Sequence, residues 1–190
     1  MIRIKPVIGE SDIEALQHGG LPEGSSRIGG ESVDALQMKA LPIALALCVA
    51  TNALLFLKTS LNQAPVIHLP AFACGFTLGF PLMIVHEWLH AIVYPKDADV
   101  LIGKLKGRFA FVALAFYPLR RRRFILMCLA PFVLGIVPLA VFLVSPADQL
   151  ALSGFMFGLS IMGMVSPYPD VYNALLLLRH ARESDHIHVL

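Results

Sequence analysis

Long apolar runs separated by short polar connections dominate the chain. The runs cover residues 40–57, 66–94, 124–144 and 150–165. A helix needs about 20 predominantly apolar residues to cross the hydrocarbon of a bilayer. The pattern therefore predicts an all-α polytopic membrane helix bundle with about four transmembrane helices.

Prolines and glycines within the runs predict local details of these helices. Pro81 removes a backbone hydrogen bond in the second run and predicts a kink there. Gly75 and Gly79 form a small-residue face that favours close helix packing. Pro167 and Pro169 interrupt the helix after the fourth run, and a last helix is expected over residues 171–182.

Residues 96–123 follow a different pattern. Basic side chains at Lys104, Lys106 and Arg108 alternate with apolar or small residues, and a β-rich apolar run extends to Tyr117. This alternation predicts a short surface β-hairpin around residues 100–117. An interfacial helix is the alternative.

The composition agrees with a membrane protein. The chain of 190 residues is 57% hydrophobic and 15% charged, against about 45–50% and about 25% in soluble domains. The three cysteines lie in apolar runs without a CxxC pair, which indicates buried thiols and not a disulfide framework. We expect a polar N-terminal arm (1–38), one membrane-embedded domain (39–182) and a flexible C-terminal tail (183–190).

Basic residues alternate between the connections. The segments carry four Lys or Arg in residues 1–39, one at Lys58, eight in 96–123, none in 145–149 and two after Asp170. The positive-inside rule then places both termini in the cytoplasm, and we expect the cell (plasma) membrane as the location. The block Arg120–Arg123 directly precedes a span, which favours contact with lipid headgroups and argues against nucleic-acid binding.

A chemical motif lies near the end of the second run. His86 and His90 are four residues apart, so on a helix both imidazoles project from one face and can share a metal ion. Glu87 lies beside that face, where a general base is needed. Buried ionisable groups in a span are costly and mark functional sites. The alternative is a polar cluster that only fixes helix packing.

Two histidines need a third ligand. Six residues after His90 the chain has Lys96, which excludes the metzincin pattern. Asp148 is expected on the opposite side of the membrane. Asp170 remains, at a proline-broken helix end on the same side as the histidines. Its alternative role is to cap the last helix.

The residues His86–Ala91, the pair Ala130-Pro131 before a span and the segment 169–173 (PDVYN) together resemble the putative zincin peptidase family of small membrane proteins. That family is similar in turn to the site-2 protease group of intramembrane metalloproteases.

The resemblance implies that His86, His90 and Asp170 bind zinc and that Glu87 is the catalytic base. It implies a zinc-dependent, membrane-embedded endopeptidase that hydrolyses a peptide bond near the cytoplasmic face. The expected partners are the lipid bilayer and a membrane-protein or peptide substrate. The alternative function is a non-catalytic metal-binding or zinc-handling membrane protein, to which the tail residues His186 and His188 could contribute.

Overall fold

The computed structural model describes residues 1–17, 25–27, 33–107, 111–180 and 186–188. Helices form most of this part: α1 (Glu10–Gln17), α2 (Val33–Asn62), α3 (Leu69–Gly79), α4 (Leu82–Val93), α5 (Arg121–Leu129), α6 (Val133–Val144), α7 (Leu150–Val165) and α8 (Tyr168–His180). A 3-10 turn, Ala130–Phe132, connects α5 to α6. The strands are β1 (Ile2–Ile8), β2 (Ser25–Arg27), β3 (Val100–Leu105), β4 (Phe111–Ala115), β5 (Leu119–Arg120) and β6 (His186–His188). The predicted all-α class is confirmed, with short strands added to it.

Several helices are suited to a bilayer. Among the described residues, Asp34–Asn62, Arg121–Val144 and Leu150–Arg179 are long and apolar enough to cross a membrane, and α3 with α4 forms a fourth span if the broken pair counts as one. Large apolar side chains on α2 are uncovered by protein, with Leu45 66% and Phe56 74% exposed. Apolar faces of this length are stable against lipid and not against water. These features indicate a multi-pass membrane protein.

The element boundaries differ from the predicted runs at some ends. The first helix, α2, extends beyond residues 40–57 at both ends, because its flanking polar residues are also helical. The second run is interrupted between Gly79 and Leu82, next to Pro81, as the proline predicted. The last helix begins at Tyr168 and not at 171, since prolines are tolerated in a first helical turn.

The chain divides into two compact units. The first comprises Met1–Leu36, Ile84–Ala130 and Asp170–Leu190, and the second comprises Gln37–Met83 and Pro131–Pro169. All four residues predicted for the metal site belong to the first unit.

A three-stranded sheet is the framework of the first unit. Its order is β1-β3-β4, with β1 parallel to β3 and β3 antiparallel to β4. Gly107 follows β3 with φ of 77°, a left-handed conformation that suits glycine. The predicted hairpin is therefore confirmed, and the interfacial helix is excluded. The face of the hairpin toward α4 packs into an apolar cluster formed by Ala91, Ala98, Val100, Ile102 and Ala115.

The strand β1 was not expected in the polar N-terminal arm. Ile2 pairs with Val100 in parallel register, and the Met1 ammonium group donates to the Ala98 carbonyl. Arg3 forms an ion pair with Asp99. The alternation Ile-Arg-Ile-Lys was visible at residues 2–5, but its pairing partner lies almost a hundred residues away.

The C-terminal tail contains a short strand within the described residues, and the predicted flexibility of residues 183–190 stays a prediction. The backbone of β6 pairs in parallel with β2 and antiparallel with β5. The strand β5, which directly precedes α5, is therefore paired with β6.

In the second unit, glycines let α3 and α7 approach closely. A Cβ atom at Gly75 would lie 2.1 Å from the Phe155 carbonyl oxygen, and one at Gly79 would lie 2.5 Å from Met162. The small-residue face predicted for residues 75 and 79 is thus a true packing surface.

Candidate metal centre

Helix α4 brings both histidines to one buried point. The Nε2 atoms of His86 and His90 are 3.1 Å apart. Both side chains are buried, while Ile84, Trp88 and Ile92 form an exposed apolar stripe along the opposite side of the helix. The four-residue spacing therefore places both imidazoles on one face of α4, as the sequence predicted. This polar face is buried, and the apolar face is exposed.

Asp170 faces the two histidines from the first turn of α8. Its Oδ2 atom lies 3.4 Å from Nε2 of His86 and 3.4 Å from Nε2 of His90. The carboxylate does not serve as the cap of a helix that begins two residues earlier, at Tyr168. The predicted convergence of these three side chains is present, and their role as metal ligands stays a prediction.

The backbone of α5 orients His90. The Met127 carbonyl lies 2.9 Å from Nδ1 of His90 and accepts a hydrogen bond from it when that nitrogen carries the proton. The proton on Nδ1 leaves the lone pair of Nε2 directed at His86 and Asp170, as a metal-binding histidine requires. Sequence reasoning missed this contact because any residue type can supply a backbone carbonyl.

Glu87 is held by the hairpin. The Ala113 amide of the edge strand β4 donates to Oε2 of Glu87 over 2.7 Å. The other carboxylate oxygen, Oε1, lies 3.9 Å from Nε2 of His86. One oxygen of Glu87 is thus anchored, and the other is left beside the three converging side chains.

Two different third donors are geometrically available. His86, Glu87 and His90 offer atoms that all lie within 4.8 Å of one another. The oxygen of Asp170 is 3.4 Å from each histidine nitrogen, whereas the nearer oxygen of Glu87 is 3.9 Å from His86, so the prediction of Asp170 as the third ligand fits the distances. Glu87 is already engaged with the Ala113 amide, which suits a proton acceptor next to the centre better than a ligand.

The three donors fit a zinc ion. Donors held at about 2.0–2.1 Å in a tetrahedral arrangement are themselves about 3.3 Å apart. The separations of 3.1, 3.4 and 3.4 Å among His86, His90 and Asp170 match that value. Two imidazoles and one carboxylate are a donor set typical of catalytic zinc, with a fourth position left for water or substrate.

Arginines of the block Arg120–Arg123 contact the ends of the two helices that carry the site. Nε of Arg123 donates over 2.6 Å to the carbonyl of Val93, the last residue of α4. Nη2 of Arg121 donates over 3.3 Å to Leu178 in the last turn of α8. Terminal helix carbonyls lack intrahelical partners and attract cations. Helix α5 therefore contacts both helices of the centre.

The acidic residues directly after α4 are engaged elsewhere. Asp97 accepts a hydrogen bond from the Tyr117 hydroxyl at 3.0 Å, which raises the pKa of that phenol, and Asp99 pairs with Arg3. Neither contact involves a residue of the metal centre. The side chains of His186 and His188 lie outside the described part of the structure.

Comparison with known families agrees with the geometry. A family with the description putative zincin peptidase matches residues 79–184, which is more than half of the chain. The chain belongs to this family. The matched segment of this zincin-family protein contains all of α4, α5 and α8, and hence every residue of the centre described above. Membership supports a zinc metallopeptidase in general. No curated protein and no solved structure matched the chain significantly.

Proposed function

We propose that this zincin-family protein is a zinc-dependent, membrane-embedded endopeptidase, similar to site-2 proteases, that cleaves a peptide bond near the cytoplasmic face. The observation that carries the proposal is the convergence of His86, His90 and Asp170 at tetrahedral separations, with Glu87 beside them. A hydrogen-bonded cluster would have similar separations, so the proposal also depends on the presence of Glu87 beside the three donors and on membership of the zincin family.

The residues of the centre would have different roles in peptide hydrolysis. His86, His90 and Asp170 would hold zinc, which when bound supplies the Lewis acid that polarises a carbonyl and acidifies a water. Glu87 accepts the proton of that water at Oε1 and passes it to the leaving amine. The Ala113 amide holds Oε2 and so keeps the free oxygen pointed at the centre.

The edge strand beside the centre suits a substrate in an extended conformation. Strand β4 is an edge of its sheet, and Glu87 lies against that edge through Ala113. A substrate unwound from a helix could pair with an edge strand by backbone hydrogen bonds, which are independent of side-chain sequence. The distribution of basic residues supports access from the cytoplasmic side.

Metal analysis with activity assays tests the proposal. The purified full chain should carry about one zinc ion. The variant His90→Ala should lose it, whereas His68→Ala, which changes an exposed histidine outside the centre, should retain it. Glu87→Gln should keep zinc and lose about 10²–10⁴-fold in cleavage of β-casein or single-span membrane proteins in detergent.

Each result has a distinct meaning. A wild-type protein without zinc, or one whose zinc survives His90→Ala, would show that the centre is not a zinc site. Bound zinc with no cleavage, or with cleavage unaffected by Glu87→Gln, would favour a non-catalytic zinc-binding protein.

A further inference from the structure

The sequence explains why the Met127 carbonyl, which orients His90, has no hydrogen-bond donor within its own helix. In an α-helix each carbonyl accepts from the N–H four residues later. The Ala130 amide follows this rule at the end of α5 and donates to the Leu126 carbonyl. The next donor in the series would be residue 131, and its acceptor would be Met127. Residue 131 is proline, which has no N–H.

A carbonyl without a partner is costly inside a membrane protein, where water is scarce. Met127 is buried, and its carbonyl lies 2.9 Å from Nδ1 of His90. The Met127 carbonyl has no helical donor because residue 131 is proline. It therefore accepts the hydrogen bond that the imidazole N–H of His90 needs. The backbone of α5 gains a donor from α4, and His90 gains an acceptor at a fixed position.

We propose that Pro131 is a positioning residue for the metal centre: by withholding an N–H, it reserves the Met127 carbonyl for Nδ1 of His90. The hydrogen bond from Nδ1 fixes the orientation of the ring, with Nε2 facing His86 and Asp170. An outer partner of this kind raises the affinity of a histidine for metal. The inference rests on the proposed metal site, but the Nδ1 hydrogen bond can be measured without metal.

The experiment compares wild type with Pro131→Ala, which supplies the competing N–H. In the metal-free protein, the ¹⁵N chemical shift of Nδ1 of His90 should show a protonated, hydrogen-bonded nitrogen in wild type, whatever proton Nε2 carries toward Asp170, and this hydrogen bond should be lost in the variant. Zinc affinity, measured by chelator competition, should fall by about 10-fold or more. Pro138→Ala is the matched control, since it removes a proline within α6, and both readouts should stay at wild-type values.

A backbone substitution separates the missing N–H from the stiffness of the ring. Incorporating lactic acid at position 131 replaces the residue by an alanine analogue with an ester oxygen in place of N–H. The proposal predicts that this ester restores the Nδ1 hydrogen bond of His90 and the zinc affinity. It is overturned if the ester behaves like Pro131→Ala, or if Pro131→Ala leaves the Nδ1 hydrogen bond unchanged. A wild-type protein with this hydrogen bond but without zinc would contradict the proposed function and leave the positioning of the His90 ring intact.

Discussion

At the scale of single residues, position 170 combines two features, a place in the first turn of α8 and a carboxylate that faces two imidazoles. An aspartate near a helix start stabilises the helix, whereas one that faces two imidazoles can hold a metal. The Oδ2 atom of Asp170 is equidistant from both histidine nitrogens, which helix capping does not require.

The substitution Asp170→Asn tests the ligand role. Asparagine is similar in shape and in its preference for helix starts, so the thermal unfolding temperature of the metal-free protein should change little. Zinc affinity should fall by at least about 100-fold, because the anionic donor is lost and effects of outer partners alone already reach about 10–100-fold. Asp148→Asn is the control outside the centre. Unchanged zinc affinity in Asp170→Asn would show that Asp170 is not a zinc ligand and has only a structural role.

Sequence reasoning named the four side chains that converge, whose role as a metal centre stays a prediction, but it did not name the backbone groups that contact them. His86, Glu87 and His90 were recognisable because their chemistry and spacing are encoded locally. Met127 and Ala113 act through backbone atoms, so their residue types carry no signal. Pro131 was visible as part of an Ala-Pro pair, but its effect depends on the helical register and on which histidine approaches the freed carbonyl.

At the scale of elements, α5 contacts both helices that carry the side chains of the centre. It contacts α4 through Arg123, contacts α8 through Arg121, and orients His90 through Met127. The sequence predicted that the arginine block would meet lipid headgroups. The structure shows that two of these arginines also donate to helix carbonyls within the protein.

The variant Arg123→Ala tests this contact. Losing a charged donor to the last carbonyl of α4 should lower the unfolding free energy by about 0.5–1.5 kcal/mol, at the lower end because the side chain is exposed. Zinc affinity should also fall severalfold, and Arg123→Lys should restore part of it. Arg120→Ala removes the same charge from the block at a position without a described side-chain contact, and it should have a smaller effect on both quantities. Equal effects of the two substitutions would indicate that only the net charge of the block matters.

The strands show where local patterns predict a fold and where they do not. The pairing of β3 with β4 was predictable because alternating residues and a turn lie within a few residues of each other. The pairing of β1 with β3 was not, since a parallel partner must come from a distant part of the chain. Long helices were predictable throughout, because in a bilayer their length and apolarity are set by the hydrocarbon itself.

At the scale of the whole molecule, topology is the main expectation to test. The alternation of basic residues predicts four spans with both termini in the cytoplasm. Reporter fusions at Gln63 and Asp148 should therefore be external, and fusions after Arg123 and at the C-terminus should be internal. An external reporter after Arg123 would reverse the predicted orientation and place the hairpin, with its access to the centre, on the outer face.

The order of the segments that form the first unit has a consequence for biosynthesis. Two histidine donors are synthesised with α4, but the third belongs to α8, after the helices of the second unit have been made. A nascent or truncated chain that ends before residue 170 carries only two of the three donors, and two histidines alone hold zinc poorly. If the proposed ligand set is correct, translation must pass residue 170 before zinc can be bound, and a chain interrupted earlier would carry an incomplete centre.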